Sequence, residues 1–294
     1  MSAGDAHFLH EKAPLEAVLC APLERPRALT WVGRKNKLIV ATDEGLLLEV
    51  DPIFGTRELK GLVPDAAALS SSISGNRIVA VQRGRGVGLY KPSGEQRAFV
   101  KLPLLSDISV AWFTRSGGKA GVAVVGETLD GRRGLVLDAD FASHKVVKLP
   151  PQTVLGPGQQ GRLVAARCNT DGLTVAPFGR SLRRGEPTHH RLRFASGVLI
   201  GIADGGVTVW RSRSRVTTVR GYETTAAALS HDRSVIAMGT REGDVGFCAL
   251  DEGTLKRAKP PKVGGHEDPV RELVFSRSGR WLASAGDELW LWKY

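Results

Sequence analysis

The chain has 294 residues and a net charge of +11, with 42% of its residues hydrophobic and 24% charged. That is globular composition, long enough to bury a large core, and it excludes a disordered or fibrous chain. No run approaches the roughly 18 apolar residues of a membrane span, and "MSAGDAHFLHEKAPLEAVLC" has charges where a signal peptide is apolar, so a cytoplasmic protein without a membrane partner is expected.

In chain order, apolar runs arrive in pairs around a turn. The plainest hairpins are "KLIVATDEGLLLEV", "NRIVAVQRGRGVGLY" and "SGVLIGIADGGVTVW", with clear period-2 alternation after the glycine. Looser copies are "KAGVAVVGETLDGRRGLVLD", "GRLVAARCNTDGLTVAPF", "SVIAMGTREGDVGFCAL" and "RWLASAGDELWLWKY", which makes seven. A further strand precedes each hairpin: "RALTWVG", "AAALSSS", "ISVAWFT", a fainter "QTVLG", "LRFA", "TTAAALS" and "VRELVFS". Most are followed by a fourth, as in "TRELKGL", "QRAFVKL", "HKVVKLP" and "RVTTVRG". No amphipathic helix of useful length interrupts them, and the 35 Gly and 15 Pro are spread along the chain as turns. The spacing is about 42 residues per unit, the period of a four-stranded propeller blade.

The expected fold is therefore an all-β, seven-bladed β-propeller of four-stranded antiparallel blades in a single domain, 1–294. Its blades fall roughly at 27–62, 63–102, 103–149, 150–188, 189–221, 222–262 and 263–294. The last of these holds only three strands. Residues 7–20, "HFLHEKAPLEAVLC", are predicted to supply its missing outer strand, because closure removes the exposed edges an open ring would leave.

The last unit, "GGHEDPVRELVFSRSGRWLASAGDELWLWKY", resembles a WD-repeat β-propeller blade, with Gly265-His266 ahead of its first strand, Asp287 in the turn and Trp292 near the end of the third strand. Only Trp210 repeats the Trp position, and Lys293 replaces the second letter of the Trp-Asp signature. The resemblance implies a buried hydrogen-bonded network of His266, Ser284, Asp287 and Trp292, which is structural. It also implies a non-catalytic scaffold that binds proteins through its faces.

Other motifs carry little chemistry. "RGRGVG" resembles a phosphate loop but leads into an alternating strand, so a hairpin turn is expected. His189-His190 stands apart from His7, His10, His144, His231 and His266, so no metal site and no cofactor is expected. Cys20, Cys168 and Cys248 lack CxxC spacing and read as buried thiols. The innermost strands "ALTWVG", "AAALSSS", "SVAWFT" and "TAAALS" offer small apolar residues, Ser and Thr, but no carboxylate pair for acid–base work, so no catalytic residue is assigned. Asp65, Asp107 and Glu223 remain as carboxylates that can approach the channel mouth.

Charge is more informative. The turns from first to second strand carry Arg34, Lys35, Lys37, Arg77, Arg115, Lys119, Arg162, Arg277 and Arg280, with Asp232 and Arg233 cancelling, about +9. The turns from second to third strand, on the opposite face, sum to about −5. "GRSLRRG" and "RSRSR", with Arg180, Arg183, Arg184, Arg211, Arg213 and Arg215, are expected as third-to-fourth connections on the basic face. The expected function is a non-catalytic scaffold, monomeric on its own, that binds a macromolecular partner, a protein in the leading reading, in a multi-protein system. The Ala-, Gly-, Arg- and Val-rich composition suggests a bacterial source. Nucleic-acid binding through the arginine-rich face is the first alternative, and a propeller hydrolase or lyase the second.

Overall fold

The computed structural model describes residues 16–19, 25–33, 36–115, 118–157, 161–169, 172–176, 180–181, 191–195, 197–203, 205–211, 216–220, 223–250, 254–257 and 266–293. The first strand, β1 (Glu16–Leu19), is separate from the units that follow. The first blade is β2 (Pro26–Val32), β3 (Lys37–Thr42), β4 (Leu46–Asp51) and β5 (Gly55–Leu62). The second is β6 (Ala66–Ser71), β7 (Ile78–Gln82), β8 (Gly86–Tyr90) and β9 (Gln96–Lys101). The third is β10 (Ser106–Thr114), β11 (Ala120–Thr128), β12 (Gly131–Asp138) and β13 (His144–Lys148). The fourth is β14 (Thr153–Pro157), β15 (Leu163–Asn169), β16 (Gly172–Ala176) and β17 (Arg180–Ser181). The fifth is β18 (Arg191–Ala195), β19 (Val198–Ala203), β20 (Gly206–Trp210) and β21 (Val216–Arg220). The sixth is β22 (Thr224–Leu229), β23 (Val235–Thr240), β24 (Val245–Ala249) and β25 (Thr254–Arg257).

The remaining strands, β26 (Glu272–Phe275), β27 (Trp281–Ala285) and β28 (Leu289–Lys293), form a sheet whose outer strand is β1. Glu16 pairs with Lys293, Ala17 with Trp292, Val18 with Leu291 and Leu19 with Trp290, antiparallel.

The expectation of seven four-stranded blades is corrected here. Six blades are continuous runs of four strands, and the remaining sheet is a composite of the two ends of the chain. Its closing strand is Glu16–Leu19 rather than the whole of 7–20, the rest of which lies outside the described residues. The fourth blade is four-stranded only in part, since β17 is two residues long.

Central strands are buried on both sides: β7, β8, β19 and β23 are buried at every position. Alternate residues feed different neighbours. Leu29, Trp31, Leu38 and Val40 pack against Ala283, Leu289 and Leu291 of the composite sheet. Ala28, Val32, Ile39 and Ala41 pack the other way, against Leu69, Ile78 and Tyr90 of the second blade. Similar clusters join each following pair of sheets. The ring is therefore a cycle of two-sided apolar interfaces, at roughly 25 cal/mol per Å² of buried apolar surface.

Side chains also bridge the innermost strands. Thr30 Oγ1 accepts the Ser71 N–H at 3.0 Å, and Trp31 Nε1 donates to the Val274 carbonyl at 2.9 Å. Thr225 Oγ1 donates to the Val270 carbonyl at 2.6 Å. The "RGRGVG" segment is the β7–β8 hairpin turn, with Arg85 N–H bonded to the Gln82 carbonyl at 3.1 Å.

Deleting residues 1–20 should lower the guanidinium unfolding midpoint and replace one cooperative transition, followed by circular dichroism, with a broad one. A truncated chain that unfolds like the full one would show that β1 contributes nothing to closure.

Candidate functional site: the central channel and its basic mouth

The innermost strands enclose a channel of about 750 Å³, which opens on the face carrying the first-to-second turns. Its wall holds Thr30, Ser70, Ser71 and Thr114 among apolar side chains. It also holds two charged groups that sequence reasoning missed, Arg193 on β18 and Glu272 on β26. Arg193 stands between Leu192 and Phe194 in "RLRFA", which opens on a second arginine, and Glu272 interrupts the otherwise apolar "ELVF". That interruption is the signal that reveals them once those two strands are placed at the ring's centre.

Each side chain is half-buried and faces the channel. Arg193 Nη1 donates to the Ala227 carbonyl at 2.9 Å. Glu272 Oε2 accepts the Leu29 N–H at 3.0 Å. No carboxylate among the described residues contacts Arg193. Burial pushes the Glu272 carboxyl up to about 7, against the opposing pull of Arg193, the Leu29 N–H and Arg191. Burial also lowers the Arg193 guanidinium, with Arg191 pushing the same way and Glu272 opposing.

At the mouth stand His231, Asp232, Arg233 and Arg277. Asp232 is engaged within its own turn, accepting from the hydroxyls of Ser230 at 2.6 Å and Ser234 at 2.8 Å. These bonds hold its carboxyl below the usual carboxylate range. Burial, then Arg277 and Arg233, depress the His231 imidazole. Arg277 reaches across to the Ile73 carbonyl of the second blade.

No family model matches the chain, and no curated protein matches it. Solved structures do. A chain in the crystal structure of the mitotic checkpoint complex aligns with 100% of this chain and 98% of its own length, with a TM-score of 0.70 and 14% identity. The β-propeller domain of Myceliophteria thermophila Cps50 (Swd1) aligns over 95% of this chain and 100% of its own length, with a TM-score of 0.70 and 13% identity. The fold is that of a β-propeller.

On this propeller the charged turns divide by face. Lys37 is paired with Glu49 at 2.7 Å and Arg77 with Asp140 at 2.7 Å, so two of the summed cations are neutralised. Arg115, Lys119, Arg162, Arg233, Arg277 and Arg280 make no ion pair among the described residues; Arg115 lies 5.9 Å from the Phe113 ring centroid. The opposite face shows exposed Glu44, Glu242, Asp244 and Glu288. Exposed apolar groups punctuate the basic face: Ile73, and the β4–β5 turn pair Ile53 (79% exposed) and Phe54 (86%). Asp51 Oδ1 accepts the N–H groups of Ile53 and Phe54 at 2.9 and 3.2 Å, which fixes that tip. The opposite face has its own exposed Leu62, Leu105 and Leu129.

Several expected placements change. Arg180 lies in the outer strand β17, paired with Val175, so it is not part of a third-to-fourth connection. Arg183 and Arg184 follow it and, like Arg34, Lys35, Arg213, Arg215, His189 and His190, lie outside the described residues. Arg211 does follow β20, and its Nη2 donates to the Leu250 carbonyl of the next blade at 3.2 Å. Asp65, Asp107 and Glu223 do not line the channel: Asp107 pairs with Arg132 at 2.5 Å and Glu223 with Arg241 at 3.9 Å. Cys248 is buried, with its thiol pushed up to about 11 by burial.

Of the four clustered residues in the last sheet, three meet. His266 Nε2 lies 2.7 Å from Ser284 Oγ, and Trp292 Nε1 donates to the same oxygen at 2.8 Å. Asp287 stands apart and takes Arg271 instead. His266 Nδ1 therefore has no partner among the described residues. Gly286 leaves space for the ring, since a Cβ there would sit 2.6 Å from Nδ1. The short turn after β27 explains the difference, because it carries the Asp287 carboxylate to the rim, where Arg271 waits.

Removing the Ser284 hydroxyl should cost about 3 kcal/mol in denaturant unfolding, because Ser284→Ala strands a buried Trp N–H and a ring nitrogen together. Burial, and secondarily Arg271, hold the His266 imidazole down at about 4. Its contribution is thus fully present above pH 6.5 and lost as pH falls from 6.5 to 4, by about 3 kcal/mol at most. Unfolding free energies of the wild type and His266→Gln, measured across that window, should diverge in slope.

Proposed function

We propose that this propeller is a non-catalytic interaction scaffold whose partner is an acidic protein, docked on the face that carries the first-to-second turns and the channel mouth. The observation that supports this is the set of six cations on that face that make no ion pair among the described residues, mixed with the fixed apolar tip of Ile53 and Phe54. Apolar anchors amid charge that needs a counterpart are what a protein interface of moderate size supplies. Nucleic-acid binding uses the same cations but leaves Ile53 idle, and stacking calls for more aromatic groups than Phe54. Of the two carboxylates lining the channel, Asp232 is engaged within its own turn at the mouth, and among the described residues Glu272 has no second carboxylate beside it for acid–base hydrolysis. We place the scaffold, a monomeric ring in the cytoplasm, within a bacterial multi-protein system.

A photo-cross-linking residue at position 280 should capture a protein in the native host, whereas one at position 242 on the opposite face should not. Combining Arg162→Glu, Arg233→Glu and Lys119→Glu should reduce the position-280 adduct about tenfold or more at low salt, with a smaller effect at high salt. Adducts that are nucleic acid, or that arise only from position 242, would overturn the proposal.

A further inference from the structure

We infer that Arg193 is the anchor for an acidic side chain of the docked partner, which enters the channel through its basic mouth and completes an ion pair that the propeller leaves open. The inference rests on the proposed docking face and adds a residue-level site to it.

The starting point is an accounting of Arg193. A guanidinium has five N–H donors in a planar fork. The described residues occupy one nitrogen, with the bond from Nη1 to the Ala227 carbonyl. A charge taken out of bulk water is costly unless paired, and among the described residues no carboxylate lies within ion-pair distance of this one. Glu272 is the nearest candidate in the channel wall, but its Oε2 is committed to the Leu29 N–H, and it attracts Arg193 only through space. Arg191, two residues away on the same face of β18, adds a second positive charge. The channel therefore contains an excess of fixed positive charge around unused donors.

The cavity determines what can reach those donors. At about 750 Å³ it is within the range of sites that enclose ligands, and it is open to the basic face. An entering group passes Arg233 and Arg277 at the mouth, where two cations outweigh the single Asp232 carboxylate that Ser230 and Ser234 hold within its own turn. The wall between mouth and anchor presents Ser70, Ser71 and Thr114, hydroxyls that can satisfy the backbone of a peptide. A carboxylate meets the Arg193 fork with two parallel hydrogen bonds, a geometry that an ammonium or amide cannot reproduce. A cationic occupant would have to cross the same rim to reach a carboxyl that is largely protonated near pH 6.

Glu272 gives the site a second, independent signature. Facing it are Arg193 and Arg191 from β18, the Leu29 N–H from β2, and His231, Asp232, Arg233 and Arg277 at the mouth. Burial, with Arg277 and Arg233, holds His231 below its ordinary value, whereas burial raises Glu272 to about 7, so Glu272 is a channel group that changes charge between pH 8 and 6.5. Ionised Glu272 opposes an incoming carboxylate, and protonated Glu272 does not.

The test uses the full chain and a rhodamine-labelled hexaglutamate peptide, acetylated and amidated, with hexaglutamine as control, read by fluorescence anisotropy at low salt. The wild type should bind hexaglutamate at least tenfold tighter than hexaglutamine. Arg193→Met should remove about tenfold of that preference, and Arg193→Lys, which keeps the charge but loses the fork, should remove part of it. Glu272→Gln should bind about threefold tighter than wild type at pH 8 and abolish the wild type's gain on going to pH 6.5. Thermal midpoints of each variant establish that the ring is intact, and Arg193→Lys serves if Arg193→Met does not fold. Unchanged binding in both Arg193 variants, or an equal loss for hexaglutamine, overturns the channel anchor even if host cross-links still map to the basic face. Absent hexaglutamate binding to the wild type overturns it too. Cross-links that fail while hexaglutamate binding depends on Arg193 would instead remove the docking face and leave the anchor.

Discussion

A ring of sheets is held by its last joint. Each blade interface is apolar on both sides, so an open junction would expose two buried faces at once, and four residue pairs between β1 and β28 prevent that. The joint is antiparallel and in register with the densest aromatic segment of the chain, where Trp290 and Trp292 are nearly inaccessible. Beneath it, Ser284 takes the Trp292 indole N–H and engages the His266 ring, so the sheet being closed is also internally tied. Two distant parts of the sequence become one element, and the entropy of closing so long a loop is offset by the two interfaces that closure completes.

That closure creates the channel and sets its chemistry. The innermost strands are bridged from sheet to sheet by Thr30, Trp31 and Thr225, which satisfy backbone groups that a lone sheet would leave to water. Below the mouth, Arg193 and Glu272 are the charged groups in this wall among the described residues. One keeps unused donors and the other a raised pKa, both because solvation is restricted and partnering incomplete. Charge is also sorted between faces. First-to-second turns are basic and second-to-third turns acidic, which gives the ring a polarity perpendicular to its plane and an approach direction for an acidic partner.

Much of the fold was legible because a β-hairpin is a local object. Period-2 alternation around a glycine turn marks "KLIVATDEGLLLEV" as β3 and β4 without reference to anything else. Even the faint "QTVLG" overlaps β14. Less legible were elements whose existence depends on a neighbour. The two-residue β17 has almost no pattern of its own, and the closing strand is shorter than the segment that suggested it. The site was harder still. Lys37 and Arg77 look like free surface charge until Glu49 and Asp140 are brought beside them. Asp287 sits at the right sequence position for the buried network, yet a short turn delivers it to Arg271.

By itself, the sequence determined most of the strands, the turns and the repeat, since each depends on neighbours within a few positions, and it named three of the residues that tie the last sheet. Only the tertiary structure decided which charges are compensated, where the channel opens, and that Arg193 and Glu272 share it. Those are properties of sheets brought together from 79 residues apart in the chain, and electrostatics and solvation depend on distance in space rather than along the sequence.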